Sequence, residues 1–487
     1  MVQSSVNDAF EKIVNQVRMD FCILRPVSNN INRGYTSYPT RARHSVIAGG
    51  HFNFGALQLS FIPRCCKSRL FGELDISKFA KVVSRNLRKG TCGCARYDGF
   101  TVSPLPHGAT EEDAQYMRMC VSIARKALGC TSPNPMVGCV IVKDGQIVGQ
   151  GFHPKAGEPH AEVFALREAG TMAEGATAYV SLEPCNHYGR TPPCTQALIR
   201  SKVRRVVVGM VDPNPIVSSQ GVATLRNSGI DVIVGVEEHL CQSLNEAYIY
   251  RILTGKPFVA LRLSMSLDGG MLDYLGDGAV EEGGYYSELL KEYDGVIVSD
   301  YVLFDNPTLL SSEAGAKQPL RIVLTRKFDF PIDSFIFNTN LSPTLVLADE
   351  RAFVDDVQNA GKQSVQSMEM LLRQKGVDII ILKRLDFDSI LEVCNQRGLC
   401  SVLLESKGLA SFGSENFFGK QALEDEAVQK LIIAICPFIS GIKKTRLNFN
   451  IPPSKLNRLT TRMSKDVALV EGCFLKDFCY TGHGRVH

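Results

Sequence analysis

The chain has 487 residues, a net charge of +4 and 16 cysteines, and its hydrophobic and charged residues make up 45% and 21% of the sequence. This length predicts two or three domains, each large enough for a core of its own, and the small net charge argues against a general nucleic-acid-binding surface. No run of about 18 apolar residues is present, so no membrane span is expected. Because the cysteines are scattered and no secretory signal precedes them, they indicate a reducing compartment and not a disulfide framework.

Residues 1–105 form a basic leader that we expect to be disordered. The leader is rich in arginine, serine, threonine and asparagine and poor in acidic residues. This composition is typical of an organelle transit peptide, and a basic tail without a targeting role is the alternative. A short amphipathic helix at 76–87 suits either interpretation. The basic residues include Arg18, Arg25, Arg33, Arg41 and Arg43.

Residues 110–255 have the pattern of a domain with alternating helices and strands. Apolar and small residues recur every three or four positions at 111–128, which indicates a helix. Strands at 137–142 and 146–152 around a tight turn predict a hairpin. The later strands are predicted at 177–182, 205–210 and 232–236, and the later helices from 159 onward and at 191–201, 219–228 and 237–253. This order of elements implies an α/β/α sandwich.

The segment from His160 to Cys194 carries the residues with the strongest chemical signature. It opens with His160 and Glu162, and it contains Cys185 and Cys194, each directly after a proline. One imidazole and two thiolates are ligands that zinc prefers, and three protein ligands leave a fourth position for water. Glu162 is placed to move protons for that water. The pattern predicts a catalytic site with one Zn²⁺ per chain, of the deaminase kind.

The predicted helices support this interpretation of the metal site. His160 and Glu162 fall in the first turn of one predicted helix, and Cys194 falls in the first turn of another. Helix N-termini carry partial positive charge, which lowers the pKa of a thiol and favours the thiolate that a metal requires. A structural zinc site is the alternative, but such sites usually have four protein ligands, and only His187 is available as a fourth.

Four motifs give the chain a family resemblance. They are SPNPMVG at 132–138, HAE at 160–162, LEPCNHYGRTPPC at 182–194 and DPNP at 212–215. These motifs resemble the riboflavin-biosynthesis deaminase/reductase family, in which the two cysteines are also far apart. Nucleic-acid deaminases usually have two residues between these cysteines, and this chain has a longer insert. With its basic leader, the chain is most similar to the plastid members of that family from plants, which implies a location in the chloroplast stroma.

The resemblance implies a fold, a reaction and a set of contacts. The fold is a cytidine-deaminase-like α/β/α sandwich followed by a dihydrofolate-reductase-like α/β domain. The reaction is the hydrolytic deamination of 2,5-diamino-6-ribosylamino-4(3H)-pyrimidinone 5′-phosphate to 5-amino-6-(5-phosphoribosylamino)uracil and ammonia, with Glu162 moving the protons. Asn134 and His153 are expected to contact the pyrimidine and ribose, and His187 and Arg190 the ribose or phosphate. A cation such as Arg190 suits an anionic substrate, although an exposed, solubilising Arg190 and an ordinary surface His153 are the alternatives.

Residues 256–440 alternate short apolar strands with helical segments, which indicates a largely parallel sheet covered by helices. The resemblance here is to the family's reductase domain, which uses NADPH. The strands are predicted at 258–266, 296–299, 320–325, 345–347, 378–382, 401–404 and 431–436, and the helices at 368–374 and 387–396.

The sequence departs from the reductase pattern at two places. The family has an arginine, an expected phosphate contact, where this chain has Ser312. The family has Glu-Gly-Gly where this chain has Glu405, Ser406 and Lys407, and side chains in place of glycines obstruct the close approach of a phosphate to the backbone. We therefore expect this domain to keep its fold, to bind no NADPH and to serve as a dimerisation and stability module in a homodimer or higher homo-oligomer.

Besides a monofunctional deaminase, the sequence leaves three alternative functions. They are a bifunctional deaminase and NADPH-dependent reductase, a base deaminase acting on tRNA or other nucleic acid, and an inactive scaffold with a structural zinc. Ser312 and Lys407 argue against the first, the long loop between the cysteines against the second, and the intact Glu162 against the third. Residues 441–487 are predicted to form a basic, solvated tail with Lys443 and Lys444 on its surface.

Overall fold

The computed structural model describes residues 105–188, 192–215, 218–280, 283–351, 365–407, 422–423, 426–439 and 456–474. The predicted leader with its helix at 76–87 and the basic residues of the predicted tail, Lys443 and Lys444, lie outside the described residues. Within the described ranges, no helix is both long enough and apolar enough to cross a membrane.

A five-stranded sheet organises the first domain. Its strands are β1 (Gly138–Lys143), β2 (Gln146–Phe152), β3 (Thr177–Leu182), β4 (Arg205–Met210) and β5 (Asp231–Val234). Their order in the sheet is β2-β1-β3-β4-β5. Strand β1 is antiparallel to both of its neighbours, whereas β3, β4 and β5 are parallel.

Helices cover both faces of this sheet. They are α1 (Glu111–Ala124), α2 (Ala161–Ala169), α3 (Cys194–Arg200), α4 (Gln220–Asn227), α5 (Glu238–Leu244) and α6 (Glu246–Thr254), with 3₁₀ turns at Arg125–Ala127 and Gly170–Ala173. Helices α1 and α5 pack together on one face, and α2, α3 and α4 pack on the other. The three-layer α/β/α arrangement predicted from the sequence is thereby confirmed.

Two glycines bring α2 directly onto the backbone of β2. A Cβ atom built on Gly149 would lie 2.2 Å from the carbonyl oxygen of Ala165, and one built on Gly151 would lie 2.5 Å from that of Ala161. Side chains at these two positions would therefore separate the helix from the strand. Because α2 begins directly after His160, this close approach determines where the candidate ligand sits.

Helix α1 is tied to the sheet through a buried carboxylate. Thr110 and Asp113 form a capping box at the start of the helix, a signature of helix N-termini. The Asp113 carboxylate also accepts hydrogen bonds from the Arg205 guanidinium at 2.8 Å and 3.0 Å and from the Tyr179 hydroxyl at 2.9 Å. One side chain thus joins α1 to both β3 and β4.

The single helix predicted at 237–253 is two helices in the structure. The chain leaves helical geometry at Asn245, with φ −119° and ψ 24°, between α5 and α6. The Asn245 side chain accepts a hydrogen bond from the Met136 N–H at 2.8 Å and donates one to the Met136 carbonyl at 2.9 Å. A contact between residues so far apart in sequence is invisible to helical periodicity, which is why the predicted helix was too long.

A nine-stranded sheet forms the second domain. Its order is β10-β9-β8-β7-β11-β6-β12-β14-β13, where the strands are β6 (Phe258–Ser266), β7 (Gly295–Ser299), β8 (Leu320–Thr325), β9 (Thr344–Asp349), β10 (Asp378–Leu382), β11 (Ser401–Glu405), β12 (Lys430–Cys436), β13 (Asn457–Ser464) and β14 (Val467–Cys473). Strands β6 to β12 are mutually parallel, as predicted. The helices are α7 (Tyr285–Leu290), α8 (Val365–Gln374) and α9 (Phe387–Gln396), with 3₁₀ turns at Asp300–Asp305 and Phe335–Phe337.

The predicted end of the second domain at residue 440 needs correction. Strand β14 pairs antiparallel with β12, and β13 pairs antiparallel with β14. Residues 457–473 therefore belong to the second-domain sheet and not to a solvated tail. The sequence did not predict this hairpin because β13 is partly exposed and rich in charged and polar residues, and because prolines precede it. An edge of this kind has few buried apolar positions to indicate a strand.

Substituting Gly151 with alanine is expected to weaken the first domain and its metal site together. The added Cβ meets the Ala161 carbonyl, the Phe164 Cβ at 2.6 Å and the Ala165 N at 2.8 Å, so the start of α2 must shift. Overpacking of this kind costs about 1–3 kcal/mol of unfolding free energy. Chemical denaturation and zinc content measure the effect. Unchanged stability and unchanged zinc content would show that α2 is free to move away from β2.

Candidate metal centre

Three predicted ligands converge at one place in the first domain. The Nδ1 atom of His160 lies 3.5 Å from the Cys185 Sγ and 3.4 Å from the Cys194 Sγ. Among the described residues these three side chains form the cluster whose ligand atoms all lie within 4.8 Å of one another. The sequence separated them by up to 34 positions, and the fold brings them together.

The spacing of these atoms fits a tetrahedral zinc ion. Zinc bonds of about 2.05 Å to nitrogen and 2.3 Å to sulfur, at a tetrahedral angle, place N and S about 3.6 Å apart. The two N–S distances in the structure, 3.5 Å and 3.4 Å, are close to this value. One histidine and two cysteines are also the donor set typical of zinc deaminases.

Two of the three candidate ligands lie at the start of a helix, and the third lies in a loop. His160 is the N-cap residue of α2, and Cys194 is the first residue of α3, so both lie at helix N-termini, as predicted. Cys185 lies in the loop after β3 and accepts a hydrogen bond from the Cys194 N–H at 3.3 Å. This positively polarised N–H group at the start of α3 faces the Cys185 sulfur, which favours its thiolate.

The two thiols have pKa values that are shifted in opposite directions. Hydrogen bonds from Cys194 and then from His160 lower the pKa of Cys185. The hydrogen bond to Cys185 and burial raise the pKa of Cys194. A lowered pKa at Cys185 favours the thiolate, which is the form that a metal ligand requires. A bound divalent cation would favour the thiolate of Cys194 as well.

Glu162 lies beside the ligands with an unusual environment for a carboxylate. Its side chain is 3% exposed, and its Oε2 atom has no hydrogen-bond partner among the described residues. Burial raises the pKa of Glu162 to about 7, and the negative charge of Cys185 adds to the effect. A carboxylate whose pKa is near neutrality both accepts and releases protons readily.

Asn134 and His153 form a hydrogen-bonded pair next to this cluster. The Asn134 Nδ2 lies 3.1 Å from the His153 Nε2, and the His153 Nδ1 lies 3.1 Å from the Pro159 carbonyl. Because a carbonyl only accepts, we assign the ring proton to Nδ1, so Nε2 accepts from Asn134. Burial lowers the pKa of His153, which keeps the ring neutral. Both ring nitrogens of His153 thus contact protein atoms, and its ring stands edge-on to His160 with centroids 5.4 Å apart.

The other predicted substrate contacts lie in the loop between the cysteines. His187 is exposed, and Arg190 lies outside the described residues. His187 is near Asp212 of the DPNP motif: burial raises the pKa of Asp212, and the positive charge of His187 opposes that rise. Asp212 also shares a hydrogen bond with Tyr248. His187, Asp212 and Tyr248 therefore form a polar group at the DPNP motif.

One buried carboxylate near the site was missed from the sequence. Glu183, which is 5% exposed, accepts hydrogen bonds from the N–H groups of Asp212 at 3.1 Å, Ser219 at 2.9 Å and Val222 at 3.0 Å. It therefore holds the DPNP loop against the end of β3. Its place in the LEPC motif, one residue before the proline, was the only available signal.

Ser312 of the second domain occupies the position where the family resemblance implies an arginine. Its hydroxyl accepts a hydrogen bond from the Gly283 N–H at 2.9 Å and shares one with the Ser287 hydroxyl at 2.8 Å. Its own N–H donates to the Ser287 hydroxyl at 2.7 Å. Ser312 thus bonds within its domain and offers no positive charge to a phosphate.

Ion pairs lie at and directly after the carboxyl-terminal end of β11, and open α/β sheets commonly bind ligands at the carboxyl ends of their strands. Lys407, at a position where the resemblance implies glycine, is 7% exposed and pairs with Asp305. Glu405 is buried and accepts hydrogen bonds from the Arg262 Nε at 2.9 Å and 3.0 Å. The Arg262 guanidinium also lies over the Tyr286 ring, 5.1 Å from its centroid.

Two family profiles match the chain. The cytidine and deoxycytidylate deaminase zinc-binding region matches residues 110–210, and the RibD C-terminal domain matches residues 257–466. The chloroplastic riboflavin biosynthesis protein PYRD of Arabidopsis thaliana is 52% identical over 350 residues, which cover 70% of this chain and 78% of the relative. The chain belongs to the riboflavin-biosynthesis RibD family.

Other RibD-family proteins cover the same two domains. The riboflavin biosynthesis protein RibD of Synechocystis sp. is 40% identical over 334 residues, 68% of this chain and 85% of the relative. A solved structure of a diaminohydroxyphosphoribosylaminopyrimidine deaminase/5-amino-6-(5-phosphoribosylamino)uracil reductase from Thermotoga maritima matches with a TM-score of 0.60 and 30% identity, covering 75% of this chain and 99% of that one.

RibD-family membership confirms the family resemblance and the fold class predicted from the sequence. The first domain is a zinc-binding deaminase domain, and the chain is a pyrimidine deaminase of the RibD family. The second domain is of the RibD C-terminal type. The identity of the individual site residues stays a prediction.

Substituting Cys185 with alanine is expected to reduce bound zinc from about one ion to below about 0.1 per chain. Loss of one of three protein ligands, with its thiolate charge, removes most of the affinity of such a site. The matched control is His187→Ala, which removes an exposed imidazole outside the converging cluster. Elemental analysis of both purified variants decides the ligand set. Loss of zinc from the His187 variant would show that the ligands are assigned wrongly.

Proposed function

We propose that the chain deaminates 2,5-diamino-6-ribosylamino-4(3H)-pyrimidinone 5′-phosphate to 5-amino-6-(5-phosphoribosylamino)uracil and ammonia, using one zinc ion per chain. The observation that carries this proposal is the buried, unpartnered carboxylate oxygen of Glu162 beside the converging atoms of His160, Cys185 and Cys194. The substrate class follows from family membership and from the activity for which the Thermotoga maritima relative is named.

Three residues hold the metal, and a fourth moves protons. When bound, zinc supplies Lewis acidity that makes a water molecule a nucleophile near neutral pH. Glu162 accepts one proton as this water adds to the ring carbon that bears the 2-amino group. It then delivers that proton to the adjacent ring nitrogen. Glu162 then carries the hydroxyl proton to the amine as the carbon–nitrogen bond breaks and a carbonyl forms. The pKa of about 7 that burial confers on Glu162 suits both transfers.

Asn134, His187 and Arg190 are proposed to hold the substrate. The hydrogen bond to His153 fixes the Asn134 amide with its nitrogen toward the imidazole ring. The amide oxygen then points away from His153 and is available to accept a hydrogen bond from a pyrimidine N–H. His187 is exposed in the loop beside Asp212, where it can reach a ribosyl phosphate. The engaged ring of His153 supports a role in orienting Asn134, in addition to the predicted substrate contact.

The second domain is proposed to have lost reduction and NADPH binding while it keeps the RibD C-terminal fold. The hydroxyl of Ser312 bonds internally, and Lys407 with Asp305 fills a place where a phosphate would need to approach the backbone. These observations favour the monofunctional enzyme over the bifunctional alternative.

The location and assembly proposed for the chain follow its plant relatives. The PYRD proteins of Arabidopsis thaliana and Zea mays are chloroplastic, and the basic leader suits import into a plastid. The chain is proposed to form a homodimer or higher homo-oligomer. Its partner is a small ribosyl-phosphate pyrimidine substrate, and neither nucleic acid nor a membrane takes part.

Substituting Glu162 with glutamine is expected to lower the rate of ammonia release by at least about a hundredfold, because an amide of the same shape cannot accept the proton of water. Bound zinc should stay at the wild-type level. A coupled ammonia assay with the diaminopyrimidine phosphate and elemental analysis measure both quantities. The control is Glu174→Gln, which makes the same change at an exposed residue. Full activity of the Glu162 variant would refute the proton-transfer role.

No oxidation of NADPH is expected when the purified protein receives the deaminated product and the cofactor. Absorbance at the reduced nicotinamide band measures the rate, and the bifunctional Thermotoga maritima relative serves as the positive control. Steady oxidation that depends on this protein would support the bifunctional alternative instead.

A further inference from the structure

The loop that carries Asn134, residues 129–136, lies between the two domains. At its end, the Met136 N–H and carbonyl are both bonded to the Asn245 side chain, which is 3% exposed. This contact lies wholly within the first domain. It holds the final residue of the loop. The Asn134 side chain bonds His153, and the Asn134 N–H bonds the Thr131 carbonyl at 2.8 Å, also within the first domain.

In its middle, at Ser132, the loop is bonded to the second domain. The hydroxyl of Ser132 donates a hydrogen bond to the Oδ2 atom of Asp294 at 2.7 Å. Asp294, directly before β7, is 7% exposed. The bond therefore joins the loop of the deaminase domain to a buried charged group of its neighbour, and hydrogen bonds to charged groups are stronger than neutral ones.

The second domain holds the Asp294 carboxylate in place independently of the loop. Its Oδ2 atom also accepts hydrogen bonds from the Cys400 N–H at 2.8 Å and the Ser401 N–H at 3.2 Å, and its Oδ1 lies 3.2 Å from the Lys317 Nζ. Three anchors from two segments fix the acceptor. Asp294 is thus a fixed acceptor for the Ser132 hydroxyl of the loop.

The backbone of the loop is also in direct contact with the second domain. A Cβ atom built on Gly129, where φ is +75°, would lie 1.9 Å from the Lys291 carbonyl oxygen. The Cys400 thiol lies 3.8 Å from the Pro133 carbonyl. The loop therefore crosses the domain boundary at van der Waals distance on both sides of Ser132.

One flank of the loop borders a cavity of about 490 Å³ that is lined in part by Ser132, Asn134, Tyr248, Asp294 and Arg462. Side chains do not fill this space, so packing gives that flank little support. Hydrogen bonds must therefore fix the position of Asn134 relative to His153 and the metal cluster.

We propose that Asp294 is a positioning residue for the deaminase reaction, acting through Ser132 on Asn134. This inference rests on the proposed function, since it takes Asn134 as a substrate contact. It gives the second domain a task in deamination that needs neither NADPH nor reduction. The domain supplies the fixed carboxylate that holds a substrate-binding loop of the first domain.

The decisive experiment compares Ser132→Ala with Ser132→Thr in the full chain. Loss of the hydroxyl is expected to raise the KM for the diaminopyrimidine phosphate about tenfold, with kcat within about twofold and zinc content unchanged. Threonine keeps the hydroxyl and should restore KM to within about twofold of wild type. A general loss of folding would lower kcat and zinc content together, and threonine would not rescue it selectively.

The second-domain side of the bond is tested by Asp294→Ala, alone and combined with Ser132→Ala. The double variant should raise KM no further than the single Asp294 variant, because both remove the same interaction. If Asp294→Ala does not fold because the Cys400 and Ser401 N–H groups lose their acceptor, the two Ser132 variants decide alone.

Two controls separate a specific effect from a general one. Ser228→Ala removes an exposed serine hydroxyl that donates a hydrogen bond to the Thr224 carbonyl in the preceding turn of its own helix. Lys256→Gln removes an exposed ion pair with Asp388 that does not touch the loop. Both variants should keep the wild-type KM. An unchanged KM in Ser132→Ala would refute the positioning role while leaving the deaminase intact, whereas a wild-type protein that releases no ammonia would refute the proposed function itself.

Discussion

The burial of the Glu162 carboxylate is the physical constraint that governs the arrangement of the candidate site in the first domain. A carboxylate with an unpartnered, buried oxygen is costly, so the surrounding structure must hold it in place. The glycines of β2 do this by letting α2 rest on the strand backbone, which places the first turn of the helix. His160 directly precedes this turn, so one packing contact positions the candidate metal ligand and the proposed proton carrier together. In the proposed mechanism, the buried carboxylate serves catalysis at a cost in local stability.

The second domain has the RibD C-terminal fold, and ion pairs lie within it. Arg262, in the middle of β6, pairs with Glu405, the last residue of β11, and removal of one partner would leave the other charge buried. Lys407, after β11, pairs with Asp305 in the 3₁₀ turn after β7. Asp294, directly before β7, is bonded to Ser132 of the first domain. This contact is the basis of the positioning role that we propose for the second domain.

Sequence patterns predicted the regular elements well where burial follows a simple period. The strands predicted at 177–182, 205–210, 258–266, 320–325 and 378–382 coincide with the strands in the structure, because each is a continuous apolar run bounded by turns. The patterns failed where tertiary contacts override them. Asn245 interrupts a helix to bond Met136, and the hairpin of β13 and β14 gains its place from pairing with β12.

By itself, the sequence determined the family and the order of the two domains, and it predicted the ligand set, because ligand chemistry and motif spacing are local properties of the chain. Only the tertiary structure decided that the Nδ1 atom of His160 faces both sulfurs, that burial isolates Glu162, and that His153 has both ring nitrogens engaged. It alone joined Ser132 to Asp294, 162 positions away in the chain. Distance, burial and the direction of a hydrogen bond arise when remote segments pack, and no local pattern encodes them.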